Sequence, residues 1–174
     1  LLVFRPADDV ETAECWQLAL DADIMPSILA LSRQNLPTVR TEHTAENLSA
    51  KGAYTLVDPA DADAVIFATG SEVAIAVEAQ KELTEKGVSA RVVSVPSMEL
   101  FNKQSDAYKA EVLGSAKARV AVEAGIEMSW NMLLGDKGKF VGMNSFGASG
   151  KIDDLYAHFG ITSDAVVEAV TSQL

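Results

Sequence analysis

Residues 62–96, ADAVIFATGSEVAIAVEAQKELTEKGVSARVVSVP, decide the fold. The apolar run Val65–Thr69 has the length and bounding of a buried strand, and Gly70 and Ser71 turn the chain. The next stretch places Val73, Ala76, Val77, Gln80 and Leu83 at helical spacing and stops near Gly87, and Arg91–Val95 is a second strand. A strand, a helix and a strand in that order make a right-handed crossover and therefore a parallel pair. Downstream, a helix is expected around Ser105–Leu113, then a strand in RVAVEAG, a short helix near Trp130, a strand in KFVGM, and closing helices from about Lys151 and Ser163. With GAYTLV (52–57) as one more strand, this region reads as a small α/β domain of four or five strands.

Upstream, ADDVETAECWQLAL carries Val10, Ala13, Trp16 or Gln17, and Leu20 at helical spacing, with Asp8 and Glu11 placed as a capping box. SILALS (27–32) follows as a buried-looking apolar run, so a second strand–helix–strand unit precedes the first. Between them, PTVRTEHTAENLSAK has no apolar period and reads as a linker. The expected division is 1–36, a linker over 37–50, and a domain over 51–174.

The 174 residues are 48 % hydrophobic, enough for a substantial core. A formal charge of −11 disfavours nucleic acid and anionic membranes. No apolar stretch reaches the roughly 18 residues of a membrane span, and the lone Cys15 has no internal disulfide partner. A cytoplasmic address is expected. LLVF at position 1 reads as a strand already in progress, so the sequence is expected to be part of a longer one.

Few residues suggest chemistry. Gly70 and Ser71 join a strand to a helix start, where free amides and the helix dipole suit an anion, although a simple turn and cap explain them as well. Gly135, Gly138 and Gly142 are read as a helix-to-strand turn rather than a phosphate loop. His43 and His158 are read as solvated or capping groups, and with Cys15 they make no metal spacing. Glu123 is read as a structural or interface carboxylate before an acid or base, and Asn144, Ser145, Gly147 and Ser149 as a turn at a strand end. Arg33 stands apart. An arginine at the tip of an apolar strand needs a partner, either a phosphate or carboxylate ligand or a salt bridge to a neighbouring domain, and spacing alone leaves both open.

Several blocks, in order, carry a resemblance: FRPADDVETAECWQLAL (4–20), ALSRQNLP (30–37), IFATGSEVAIAVEAQKELTEKGVSARVVSVPSMELFNKQ (66–104), Tyr108 with Val112 and Leu113, VAVEAGIEMSW (120–130), and FGASG (146–150) followed by FGIT (159–162). Together they resemble the C-terminal part of bacterial transketolase over essentially the whole chain. The resemblance implies a small, mostly parallel sheet flanked by helices, preceded by the strand–helix–strand tail of the pyrimidine-binding domain. It implies a homodimeric enzyme that uses thiamine diphosphate and a divalent metal, Mg or Ca, to move a two-carbon ketol unit between sugar phosphates of the pentose phosphate pathway. It assigns Arg33, in the SRQNL motif, to the substrate phosphate, and assigns no role to Arg5. It places the cofactor-binding, metal-binding and catalytic groups in segments other than these residues, so the chain alone is expected to be inactive and to bind no cofactor. After FGAS the family continues with Ala-Pro, where this sequence has Gly150 and Lys151. Two alternatives stand beside this one: an interaction or dimerisation domain of a related thiamine enzyme, and a small anion-binding regulatory module at Gly70 and Ser71.

Overall fold

A computed structural model describes residues 1–174. The first unit is β1 (Leu2–Phe4), α1 (Asp9–Leu20) and β2 (Ser27–Leu29), and its two strands pair in parallel with Phe4 opposite Leu29. The second is a five-stranded sheet. Its strands are β3 (Tyr54–Val57), β4 (Ala64–Ala68), β5 (Ala90–Ser94), β6 (Ala118–Val122) and β7 (Lys139–Val141), in the spatial order β3-β5-β4-β6-β7. Only β3 runs antiparallel to its neighbour.

The helices are α2 (Glu72–Glu85), α3 (Met98–Asn102), α4 (Asp106–Leu113), α5 (Asn131–Leu134), α6 (Ile152–Phe159) and α7 (Ser163–Thr171). All five residues of β4 are buried, because α2 and α7 cover one face of the sheet and α3, α4 and α5 cover the other. That burial on both sides is why β4 reads as an unbroken apolar run. Ile66, Val92 and Val120 point into the first core; Val65, Phe67, Val93 and Trp130 fill the second. Gly135 has φ +64° in the turn after α5, as the helix-to-strand reading requires. No helix is long and apolar enough to cross a membrane.

The first unit departs from expectation in two places. SILALS is a strand for three residues only, and Ile28 and Leu31 are 48 % and 49 % exposed rather than buried. On α1 the stripe expected to pack is the one facing out: Trp16 is 50 % and Leu20 77 % exposed, while Glu11 and Cys15 are the buried positions. Periodicity reports where apolar residues line up, not whether anything in the chain covers them. The buried apolar residues of this unit are Leu2, Phe4 and Cys15, in a small cluster of their own, and Ala7, which joins the core of the larger sheet.

That difference should be measurable. Backbone amides of Ile66 and Val92, in the fully buried sheet centre, are expected to exchange with deuterium orders of magnitude more slowly than those of Ile28–Leu31. Equal protection in the two segments would contradict the picture of one strong core and one weak one.

The segment 37–50 lacks periodicity but not anchors. The Val39 and Arg40 N–H groups both donate to Asp8 Oδ2 at 3.0 Å, Arg40 pairs with Glu14 at 2.6 Å, and Ser49 Oγ donates to Glu14 Oε2 at 2.7 Å. It is strapped along α1 by carboxylates of that helix, so polar side chains do here what apolar spacing does elsewhere.

Candidate functional site

In open parallel sheets ligands approach the carboxyl ends of the strands, at the point where successive connections leave for opposite faces. Here that point lies between β4 and β6: β4 continues into α2 on one face, and β6 into α5 on the other. Thr69 and Gly70 end the first strand and Glu123 the second.

Arg5, from the turn after β1, occupies the point. Its N–H donates to the Pro96 carbonyl at 2.9 Å, its carbonyl accepts from the Gly70 N–H at 3.0 Å, and its guanidinium pairs with Glu123. The Trp130 indole N–H donates to the other Glu123 oxygen at 2.5 Å. A cavity of about 260 Å³ opens beside this group, lined by Val3, Thr69, Ser97, Glu99 and Met98 among others.

The Gly70–Ser71 turn is therefore filled from within. The Gly70 amide is bonded to Arg5, and Ser71 Oγ donates to the Glu72 carboxylate at 2.7 Å instead of capping its helix. Tyr156 also donates to Glu72, and burial, followed by the charge of Glu72, pushes the Tyr156 phenol well above its ordinary value, so it stays a donor. A buried carboxylate at the first position of α2 answers the helix dipole without a bound anion. This geometry speaks against the anion-site reading.

Arg33 lies four residues beyond Leu29, the last residue of β2. It is exposed and has no ion pair or hydrogen bond in this chain. The salt bridge weighed against a ligand is thus not made within these residues. Both ends of its loop are fixed. The Ala30 N–H donates to the Phe4 carbonyl at 2.8 Å, and at the far end Thr38 Oγ1 bonds the Asp9 carboxylate at 3.0 Å, next to the Asp8 bonds already described. Pro6, Asp8, Ser32 and Gln34 border one shallow cavity beside the arginine.

The remaining candidates stay apart. His43 and His158 are exposed; His158 lies edge-on to Phe159, in the last turn of α6. Asn144, Ser145, Gly147 and Ser149 are exposed. Cys15 is buried, and burial together with the Glu11 charge pushes its thiol up to about 12, which leaves it unreactive. The entry to α6 at Lys151 has no side-chain cap, at the place where the sequence departs from Ala-Pro.

Sequence reading missed the polar joint between the two units. Glu11, read as a capping residue, has no exposed surface, and it accepts from Tyr54 Oη at 2.7 Å, Ser94 Oγ at 2.5 Å and the Ala7 N–H at 2.7 Å. Burial, only partly offset by the hydrogen bonds from Ser94, Tyr54 and Ala7, holds its carboxyl above the ordinary range. Glu14, one turn on, is held below that range: burial raises it, but the hydrogen bonds from Arg40 and Ser49 and the Arg40 charge together outweigh burial. The capping box was the signal for Glu11, but long-range partners at 54 and 94 leave none in a local window.

Comparison with known proteins follows the same lines. The family model for the transketolase-like C-terminal domain matches residues 52–162. A transketolase of Rhodobacter capsulatus is 51 % identical over 178 residues, covering 98 % of this chain and 26 % of that protein. A solved transketolase from Leishmania mexicana superposes with a TM-score of 0.88 at 39 % identity, covering 99 % of this chain and 25 % of that one. The same values describe a Pichia stipitis transketolase solved in complex with sedoheptulose-7-phosphate. The chain spans about a quarter of the length of the relatives it matches.

Proposed function

Since the chain belongs to the transketolase family and matches its C-terminal domain, we propose that it works as the C-terminal quarter of an enzyme that transfers a two-carbon ketol unit from a ketose phosphate to an aldose phosphate. The observation that carries its part in the reaction is Arg33: a permanently charged, planar fork of donors, unpaired within the chain, on a loop fixed at both ends. In this reading Arg33 grips the substrate phosphate away from the reacting carbonyl, orienting the sugar. The solved relative holding sedoheptulose-7-phosphate supports sugar phosphates as the ligand class.

The residues present do not fit a site for thiamine diphosphate and a divalent metal. No three His, Cys, Asp or Glu side chains converge, and the Gly70 amide is bonded to Arg5. In the proposal the cofactor, which stabilises the transferred carbanion when bound, is held by parts of the enzyme outside these 174 residues, in a cytoplasmic homodimer. No step of the chemistry is assigned to a side chain of this chain.

The test is reconstitution. The chain supplied with thiamine diphosphate and Mg²⁺ should transfer no ketol unit, and a full-length polypeptide ending in it should. Turnover by the chain alone, or none by the full-length protein, would contradict the proposal.

A second reading, a subunit-interaction module of a related thiamine enzyme, draws on Trp16, Leu20, Ile24, Ile28 and Leu31, which are all 48 % or more exposed on the first unit. It differs in leaving Arg33 without a substrate, so a phosphate-dependent effect of Arg33 separates the two.

A further inference from the structure

Glu123 belongs to the sheet domain, yet its carboxylate closes on the first unit. Only 8 % of the residue is exposed. One oxygen is fixed by Trp130, itself 1 % exposed, which leaves the other turned to the Arg5 guanidinium. The Arg5 backbone is bonded at the same time to Pro96 and Gly70, so this residue is pinned to the ends of β4, β5 and β6 together. Phe4, one residue before, carries the carbonyl that receives the Ala30 N–H, and Ala30 begins the loop bearing Arg33. Pro6, one residue after, borders the same cavity as Ser32 and Gln34, the two neighbours of Arg33.

We propose that Glu123 is a positioning residue for the substrate phosphate: acting through Arg5, it fixes where the loop 30–40 starts and so where the Arg33 guanidinium stands. The proposal rests on Arg33 as the phosphate anchor. A charged fork on a loop whose base can shift loses grip through misplacement and through the entropy of ordering at each binding event. Holding the base from a separate domain removes both costs. It also gives the C-terminal domain a part in substrate binding with no side chain of its own at the substrate.

The experiment uses the full-length enzyme with a pentose phosphate as acceptor, compared with the same pentose lacking its phosphate. Glu123→Gln keeps the size of the side chain and an oxygen for Trp130 but removes the charge facing Arg5. It is expected to raise KM for the phosphorylated acceptor by about two- to thirtyfold, with a smaller change in kcat and in the unphosphorylated reaction. Glu123→Asp, which retains the charge, should recover part of the loss. On an Arg33→Ala background Glu123→Gln should add little, because the group it positions is gone. Additive effects in the double variant, or equal loss with both acceptors, would reduce Glu123 to a purely structural role and overturn the proposal. Arg33→Ala that ignores the phosphate would overturn the anchor itself. Arg33→Ala that is selective beside Glu123→Gln that is not would overturn only the positioning.

Discussion

Arg33→Ala, in the full-length enzyme, is expected to raise KM for phosphorylated sugars by about ten- to a hundred-and-fiftyfold, the equivalent of roughly 1.5–3 kcal/mol for a lost charge-assisted hydrogen-bonding partner. In the proposed role the phosphate is gripped in both ground and transition states, so kcat should fall less than kcat/KM. Acceptors without a phosphate are the control. The chain offers the guanidinium no internal partner, so the substitution frees no buried carboxylate and should leave the folded state almost unchanged. Equal slowing of both acceptor classes would mean that Arg33 serves the protein and not the substrate.

The second large effect is on stability. Glu11→Ala is expected to lower the unfolding free energy by about 3–5 kcal/mol in urea titrations, because it strands the Tyr54 and Ser94 hydroxyls and the Ala7 amide in a buried joint. A loss below about 1 kcal/mol would show that the two units do not depend on this carboxylate. Glu11→Gln tests the charge separately. The folded carboxyl lies above its ordinary value near 4.5, so the folded state binds a proton more readily than the unfolded state. Its contribution is most favourable below that ordinary value and is lost as pH rises through the raised folded value, after which it is level. Glu14 has the opposite sign, since its folded value is lowered and its contribution fades as pH falls through it. Glu11→Gln should therefore remove the stability gained on mild acidification, and Glu14→Gln should remove the loss at stronger acid. Identical pH profiles for wild type and Glu11→Gln would contradict the assignment.

The legible and illegible parts of this fold differ in the range of the interactions that make them. The βαβ unit of residues 62–96 could be read locally because its apolar run, its turn and its helical spacing all lie inside one short window, although α7 and β6, which help to bury it, lie far along the chain; Gly87, with φ +77°, ends the helix region where expected. Family membership was legible because many short blocks keep one order. The stripe on α1 was visible, but not the fact that nothing in the chain covers it. Arg33 stood out as a charge misplaced on an apolar run and Glu123 as a structural or interface carboxylate without a named partner, whereas Asp8 and Glu11 looked like an ordinary capping box. A carboxylate becomes a structural joint only through partners tens of residues away, such as Tyr54 for Glu11, Val39 for Asp8 and Arg5 for Glu123.

The two-stranded ladder of β1 and β2 has a colloidal consequence for the 174-residue chain in isolation. β2 pairs with β1 on one side only, so its other edge presents unpaired backbone groups next to the exposed Ile24, Ile28 and Leu31. The net charge of −11 opposes the meeting of such edges, and its reach shrinks to about 8 Å at physiological ionic strength and about 3 Å in molar salt. Light scattering from the isolated chain should accordingly rise with added sodium chloride. Replacing Ile28 with lysine, which puts a like charge on the edge itself, should suppress that rise, and self-association indifferent to salt would place the sticky surface elsewhere.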